Sequence, residues 1–330
     1  MPQRPHSSHL SWRPPAPTDH TDPSIPNQED CMKFIKKNLP VILLAAAIVP
    51  LAPVMAATAE SADAIMAKVD HATRTAYSTQ LASVKITTCK YMLVGGNVKC
   101  SEKPRVVVAE NIKKGAVVDG KYNDKSLLIV REPISDKGTS LLVYEYGERN
   151  RDNDNWLYLP ALGKVNRVIA SDDDAGSVFG SEFSVETTEN PEARKIYEYT
   201  YKILEETNYQ NRLAWVIEMM PTEEKGRKTS YGKVISWIDK ETHLPLKEDL
   251  YRNGKIHKQR TQTDIKNIDG VNVMLKVVIN NRSSSRVSQM DYMAMRHNTE
   301  VPDDFLSQRG LTDFAFRERS LAEYRARLAK

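Results

Sequence analysis

Residues 155–184 read NWLYLPALGKVNRVIASDDDAGSVFGSEFS. An aromatic and aliphatic run ends at Pro160, a basic segment with Lys164 and Arg167 follows, and the stretch closes in a polar loop containing three consecutive aspartates. Alternating apolar residues are typical of strands, so the first half predicts strands and the second half predicts a loop. Three interpretations of the loop are open: an active site, a metal-binding loop or the lining of a pocket.

Period-two alternation of apolar residues continues over most of the chain. The segments that show it are 81–92, 105–109, 126–130, 140–146, 194–205, 212–220, 231–239, 271–280 and 286–295. Asn253-Gly254 and Asp269-Gly270 are strong two-residue hairpin signals between such segments. Because no long helix separates consecutive strands, a parallel sheet with crossover helices is excluded. The sequence predicts a mainly β protein with one large antiparallel sheet that is strongly curved or partly closed.

Helical patterns lie mainly at the ends of the chain. Ser61 is placed to cap a helix that runs to about Thr73. Residues 312–330 form a separate C-terminal unit, in which a charged amphipathic helix is expected to lie on the sheet. Its narrow apolar stripe consists of Phe314, Phe316 and Leu321.

The first 56 residues predict export. Residues 1–31 are rich in Pro, Ser, His and Asp, which predicts a disordered or misassigned extension. Residues 32–56 have the three parts of a signal peptide: a lysine-rich start, the apolar run Leu39–Leu51 and a small-residue motif ending at Ala56. A membrane anchor is the alternative, but the run is shorter than ~20 residues and prolines interrupt it. We expect cleavage near Ala56, a mature domain over 57–311 and a periplasmic location.

Charge and cysteine content narrow the function classes. The formal net charge is only +4, which does not favour a nucleic-acid partner.

Cys89 and Cys100 flank the glycine pair Gly95-Gly96, and a four-residue loop over 93–96 would set the two cysteines opposite each other. In an oxidising compartment this predicts a structural disulfide. A redox role is the alternative, but no CxxC motif is present.

No reactive constellation stands out in the mature region. Its histidines, His71, His243, His257 and His297, show no metal-ligand spacing. Ser181 has no histidine nearby in sequence, so Gly180-Ser181 is interpreted as a turn. The aspartates 172–174 lack the alternation of a calcium loop, which favours a solvated acidic loop. We therefore expect no catalytic residue, no metal and no cofactor.

Several stretches together resemble one family. Residues 155–184 are similar to the W-L-Y-L-P-A-L…R-R-I…F-M-G-S-D-F signature of exported proteins related to outer-membrane lipoprotein-sorting proteins, the LolA-like superfamily. Residues 125–146 resemble the family's preceding strand, P-x-D-x-K-G-T turn and strand, and residues 231–255, 268–271 and 301–311 match its later segments in the same order. The motif loop contributes Arg167, Gly180, Ser181 and Phe183. Glu182 departs from the pattern, which has Asp there, and Val185-Glu186-Thr187 replaces a Tyr-Glu-Asp-like segment.

The resemblance implies a fold and a function. The fold is an incomplete β-barrel whose concave side is covered by helices around a hydrophobic cavity. The function is non-covalent carriage of lipid or lipoprotein acyl chains, with an inner-membrane RND-type exporter or an outer-membrane acceptor as protein partners. Candidate cavity residues are Trp156, Tyr158, Tyr199, Trp215, Ile217 and Met219, each of which has closed core packing as its alternative.

Two other functions remain open from the sequence. One is a non-catalytic envelope adaptor that docks to an exporter complex, and the other is an exported lipid-modifying hydrolase. Arg167 likewise has two interpretations, a contact to a lipid phosphate or an ordinary surface ion pair.

Overall fold

The computed structural model describes residues 60–149, 151–168 and 177–329. The predicted N-terminal extension, the signal peptide and the aspartates 172–174 lie outside the described residues. In the described ranges, no helix combines the length and the apolar character that a membrane span requires.

Within the described residues, fourteen strands form a single antiparallel sheet that is curved and not closed, which confirms the predicted fold class. The strands are β1 (Thr79–Val94), β2 (Asn97–Cys100), β3 (Arg105–Val118), β4 (Lys121–Glu132), β5 (Ser140–Glu145), β6 (Asp154–Leu159), β7 (Lys164–Val168), β8 (Tyr199–Tyr209), β9 (Arg212–Pro221), β10 (Lys233–Asp239), β11 (Pro245–Arg252), β12 (Lys255–Ile268), β13 (Val271–Asn281) and β14 (Arg286–His297). Their spatial order is β7-β6-β5-β4-β3-β1-β14-β13-β12-β11-β10-β9-β8, and β2 pairs only with β1.

The α-helices that accompany the sheet in the described part of the chain are α1 (Ala62–Asp70), α2 (Glu223–Gly226), α3 (Gln308–Thr312) and α4 (Phe314–Leu328). Ser61 caps α1 by accepting a hydrogen bond from the backbone of Ala64 at 3.2 Å. A π-helical turn over His71–Thr75 follows, so the regular helix is shorter than the sequence pattern indicated. Asp313 caps α4 by accepting from the backbone of Phe316 at 3.0 Å.

Alternation along the strands gives the sheet two apolar faces. One face, here called the inner face, carries Ile86, Val130, Ile217 and Val277, and α1 packs on it. The other, the outer face, carries the cross-strand row Leu81, Ile112, Leu127, Leu142 and Trp156. Strands β1, β3, β4 and β5 therefore bury side chains on both sides.

Contacts between the two ends of the sheet show that the inner face is the concave one. Lys228 follows β9, near one edge, and its Nζ lies 2.8 Å from a carboxylate oxygen of Asp152, which precedes β6 near the other edge. Lys195 donates to the backbone carbonyl of Arg151 at 2.8 Å. The sheet therefore curls around α1 and the chain preceding β8.

The outer face is closed by α3 and α4. Leu321 and Tyr324 of α4 are buried with Phe305, Leu127 and Leu142. Phe314, expected in the apolar stripe of α4, is instead 58% exposed. The apolar side of this helix faces the sheet, whereas Phe314 in its first turn points away from the core.

The β1–β2 hairpin differs from the expected register. Val94 pairs with Asn97 and Tyr91 with Cys100, so the turn has two residues and not four. Gly95 and Gly96 both have positive φ, +58° and +78°, a conformation that two-residue hairpin turns require and that glycine adopts readily. Cys89 and Cys100 nevertheless form a disulfide, which links them diagonally at the base of the hairpin.

Candidate functional site

The concave inner face is an enclosed apolar surface that is covered by non-sheet elements. Helix α1 covers one part, and residues 177–198, here called the covering segment, cover another. Ile65, Met66 and Val69 of α1 pack on Tyr199, Ile217, Met219, Tyr231, Val234, Ile238 and Leu250. Val178 and Phe183 of the covering segment pack on Ile86, Val107, Val130, Leu141, Val277 and Ile279.

The motif loop is built to place Phe183 on the inner face. Gly180 has φ +74°, and the Ser181 hydroxyl donates to the Val178 carbonyl at 2.6 Å and accepts from the Phe183 backbone N–H at 3.2 Å. Phe183 is then 6% exposed. The hydroxyl of Ser181 is therefore used to hold a turn, as the sequence interpretation proposed.

A buried ion pair fastens the covering segment to the sheet. Arg194 donates to Glu248 of β11 through Nη1 at 2.6 Å and Nη2 at 2.9 Å, and Ser236 donates to the same carboxylate at 3.2 Å. Burial disfavours the charged form of Arg194, but the Glu248 carboxylate outweighs it, so the pKa of Arg194 is raised. Arg74, in the turn after α1, donates to the Arg194 carbonyl at 2.8 Å. Both covering elements therefore meet at Arg194.

A second buried ion pair lies nearer the motif loop. Lys258 of β12 donates to both carboxylate oxygens of Glu189, at 3.0 and 2.9 Å, and to the Glu182 carbonyl at 3.1 Å. The Tyr231 hydroxyl donates to Glu189 at 2.5 Å. Burial, and then the Glu189 carboxylate, raise the pKa of Tyr231, so this phenol remains a hydrogen-bond donor.

A third group of charges lies on the inner face of β3, β4 and β5. Lys113 Nζ is 3.2 Å from Asp124, and Glu145 stands directly opposite Asp124 in the ladder. Burial opposes the charged form of Lys113, but Asp124 and the neighbouring acidic groups outweigh it and raise the pKa of Lys113. Burial, and then Asp124, raise the pKa of Glu145 to about 8. One Glu145 carboxylate oxygen, Oε2, is shielded from solvent and accepts no hydrogen bond from the described residues.

A small cavity remains between the turn after α1, the covering segment and strands β12–β14. Its volume is about 50 Å³, and its lining includes Tyr77, Arg260, Gln262, Tyr292 and Met295. Pockets that hold small molecules usually measure ~300–1,000 Å³. This part of the inner face is therefore closed in this conformation, with α1 and the covering segment on its surface, whereas a more open and polar pocket of about 490 Å³ lies beside the motif loop, Glu189 and Lys258.

Arg260 is a buried cation at this cavity. It is 6% exposed, and it donates to the Glu189 carbonyl at 3.1 Å and to Gln262 at 3.3 Å. Its Nε has no hydrogen-bond partner among the described residues. Burial lowers the pKa of Arg260.

The six predicted cavity residues divide between the two faces, so the prediction of one shared cavity is wrong. Trp156 and Tyr158 pack in the outer cluster beneath α4, and Trp156 meets Tyr144 edge-on with ring centroids 4.9 Å apart. Tyr199, Trp215, Ile217 and Met219 belong to the inner cluster beneath α1. Alternation along one strand separates its residues into two sets, one for each face of the sheet. It does not show which set of a distant strand lies on the same face.

Arg167 lies on the exposed side of β7 and forms an ion pair with Asp154 of the neighbouring strand. Its side chain is 67% exposed, far from the closed interior. Of the two interpretations from the sequence, the structure has the surface ion pair.

Sequence reasoning missed the charged residues of the inner face. Glu248 stands between Leu246 and Leu250 at period two, and a charged residue in phase with buried apolar neighbours was the available signal, because such a residue needs a buried partner. Arg260 stands between the polar residues Lys258 and Gln262 and offered no such signal. Among the described residues, no group of three or more His, Cys, Asp or Glu is arranged to hold a metal ion.

A family model described as an uncharacterized protein matches residues 122–313, more than half of the chain. The chain belongs to this family. The matched range contains the covering segment, the ion pairs Arg194–Glu248 and Glu189–Lys258, and Arg260. Among curated proteins, no sequence matches the chain.

Solved structures share the family fold along most of their length. A DUF1329 family protein from Desulfovibrio piger superposes with a TM-score of 0.66 at 23% identity, covering 76% of this chain and 97% of that one. A domain described as an outer membrane lipoprotein-sorting protein from Vibrio parahaemolyticus gives 0.62 at 22%, covering 75% and 97%. The LolA superfamily protein NE2245 from Nitrosomonas europaea gives 0.53 at 19%, covering 76% and 98%. The fold is therefore LolA-like.

Proposed function

We propose that this protein is a periplasmic carrier that binds lipid or lipoprotein acyl chains non-covalently on its concave inner face. The observation that carries the proposal is the construction of that face. It carries two apolar clusters with buried ion pairs beside them, and α1 and the covering segment lie on these clusters without being strands of the sheet.

The covering elements can leave the sheet without disrupting its ladders. Helix α1 contacts the sheet through three apolar side chains, Ile65, Met66 and Val69. An acyl chain that displaced them would replace one apolar contact with another, at about 0.8 kcal/mol for each buried methylene. The exchange of apolar contacts at α1 is therefore close to balanced, whereas displacing the covering segment also breaks the Arg194–Glu248 and Glu189–Lys258 ion pairs.

Arg260 favours a cargo that has a negative head group. Its guanidinium lies at a cavity lined by polar and apolar side chains, and one of its N–H groups has no hydrogen-bond partner among the described residues. A carboxylate or phosphate would satisfy that N–H in a buried setting, where charge-assisted hydrogen bonds are strong. Carriage of this kind needs no catalytic residue. An exporter or an outer-membrane acceptor would supply and receive the cargo.

The decisive experiment measures acyl binding by the processed protein purified from the cell envelope. Lipid extraction with native mass spectrometry should detect co-purified lipid, and a fluorescent fatty acid should bind the delipidated protein. Met219 and Met220 are adjacent, and they are 0% and 42% exposed. Met219→Gln should weaken fatty-acid binding about tenfold or more, because it places a polar amide on the inner face. Met220→Gln should bind like the wild type.

Thermal melts of both variants separate lost binding from lost folding. A folded wild type that carries no lipid and binds no acyl probe would exclude the carrier function and leave the adaptor as the explanation. Equal affinity in the two methionine variants would place the acyl site away from the inner face.

A further inference from the structure

One end of the half-barrel collects five turns, β1–β2, β4–β5, β6–β7, β11–β12 and β13–β14, which the antiparallel order places at the same end of the sheet. The longer β9–β10 connection, residues 222–232, starts from this end too, but it carries both signs of charge and pairs through Lys228 with Asp152, so it is treated apart from the five turns. Here this end is called the hairpin end. The β1–β2 hairpin reaches farthest, because the partners of β1 on either side stop at Thr88 and Lys90. Tyr91–Val94 therefore extend roughly 13 Å beyond the neighbouring strands, at ~3.3 Å per residue.

The farthest points of the hairpin end are apolar. Leu93 is 68% exposed, Ile134 in the β4–β5 turn 89%, and Leu162 in the β6–β7 turn 62%. Phe314 belongs to the same end, since its neighbour Arg317 donates to Ser140 at the start of β5. Large apolar side chains at successive loop tips are unusual on a soluble surface and mark an interaction site.

The same turns are basic. Their exposed cations are Lys90, Lys99, Lys103, Arg105, Lys137, Lys164, Lys255 and Arg282, and their acids are Glu102, Glu132 and Asp136. A set of apolar tips surrounded by cations matches the interface of an anionic bilayer, where side chains enter the acyl boundary and lysines meet phosphates. A protein partner would not require apolar residues on separate projecting tips.

The opposite end lacks this combination. It also exposes apolar side chains, Val117 and Val118, but the adjoining turn carries Asp119 and Lys121. The turn at 240–244 carries Lys240 and Glu241, and the turn at 269–270 carries only Asp269. This end therefore provides a control that has exposed apolar side chains but no excess of cations.

We propose that the hairpin end is a membrane-contacting surface for anionic bilayers. Leu93, Ile134, Leu162 and Phe314 enter the interface, and the surrounding lysines bind lipid phosphates. The disulfide Cys89–Cys100 holds the base of the longest tip, so the tip enters the membrane without first becoming ordered. This surface does not depend on the proposed acyl site, because none of its residues lies on the inner face.

The test is vesicle flotation with the processed protein. The vesicles contain phosphatidylethanolamine alone or with phosphatidylglycerol. The wild type should float only with the anionic vesicles, and less at high salt. Lys90→Gln/Lys99→Gln/Lys103→Gln should lower partitioning about a hundredfold, since each lysine near an anionic surface contributes about a fivefold effect. Partitioning onto anionic vesicles should fall at least roughly tenfold in the triple variant Leu93→Ser/Ile134→Ser/Leu162→Ser. It should be unchanged in the control variant Val117→Ser/Val118→Ser.

Several results would overturn the proposal. They are a wild type that does not float, equal flotation with neutral vesicles, and a loss in the Val117/Val118 variant as large as in the Leu93 variant. Fatty-acid binding in the absence of vesicles should be unchanged in every hairpin-end variant. That measurement separates failure of this surface from failure of the acyl site, and circular dichroism melts confirm that each variant is folded.

Discussion

Arg194 and Glu248 form a two-pronged ion pair inside the half-barrel, with N–O distances of 2.6 and 2.9 Å, and their side chains are 5% and 0% exposed. Arg194 belongs to the covering segment and Glu248 to β11. The backbone of Arg194 also accepts a hydrogen bond from Arg74, next to α1. This pair is therefore the point at which both elements that cover the inner face are fastened to the sheet.

Replacing Arg194 with Met should destabilise the protein by about 3–5 kcal/mol, because Glu248 would remain buried without its partner. The double variant Arg194→Met/Glu248→Met should regain most of that loss, since no uncompensated charge remains. Urea denaturation of the wild type, Arg194→Met, Glu248→Met and the double variant gives the four free energies of unfolding that a double-mutant cycle requires. If the double variant were as unstable as the sum of the single variants, the two residues would not act as a pair.

Loss of the Cys89–Cys100 bridge should lower the free energy of unfolding by about 3 kcal/mol, the chain-entropy value for so short a loop. The variant for this measurement is Cys89→Ser/Cys100→Ser. Non-reducing mass spectrometry of the exported wild type should find no free thiol at either position. Two free thiols in that sample, or an unchanged midpoint in denaturant, would contradict a stabilising bridge.

The sheet could be predicted from the sequence because each strand repeats the same local signal. Alternation, the Asn253-Gly254 and Asp269-Gly270 turns, and the missing crossover helices are all short-range features. The register of the β1–β2 hairpin was predicted wrongly, since Gly95-Gly96 is compatible with turns of either two or four residues. Only the pairing of Val94 with Asn97 decides between them.

The composition of the inner face could be predicted only in part. Trp156 and Ile217 both lie on apolar strand faces, and nothing local shows that one meets α4 while the other meets α1. Arg194 lies 54 residues from Glu248, so their pairing is a property of the closed fold. The in-phase position of Glu248 between Leu246 and Leu250 predicts only that it needs some partner.

Because of Glu145, the free energy of unfolding should fall as the pH rises from about 4.5 to 8. Its ordinary pKa is 4.5, and in the folded protein burial and Asp124 raise the pKa to about 8. Between these values the folded state keeps a proton that the unfolded chain has released, so the group costs stability at neutral pH and nothing below both values. In this range the free energy of unfolding should fall by about 1.4 kcal/mol for each pH unit.

Glu145→Gln removes that dependence. The variant should be more stable than the wild type at pH 8, with the difference shrinking to near zero at pH 4. The exposed Glu148, three residues away, provides the control Glu148→Gln, which should follow the wild type at each pH. Parallel curves for the wild type and Glu145→Gln in urea denaturation across this range would show that Glu145 is ionised in the folded state.

Helix α4 should behave as part of the core. Leu321 is 1% exposed and packs with Leu127, Leu142 and Phe305, so Leu321→Ala should cost about 2–5 kcal/mol. Phe314→Ala, at a position 58% exposed in the same helix, should change the unfolding free energy by about 0.5 kcal/mol or less. Ending the chain at residue 313 should uncover the outer cluster and abolish cooperative unfolding. A truncated protein that kept the wild-type midpoint and β-sheet circular dichroism would show that α4 only rests on a sheet that is stable without it.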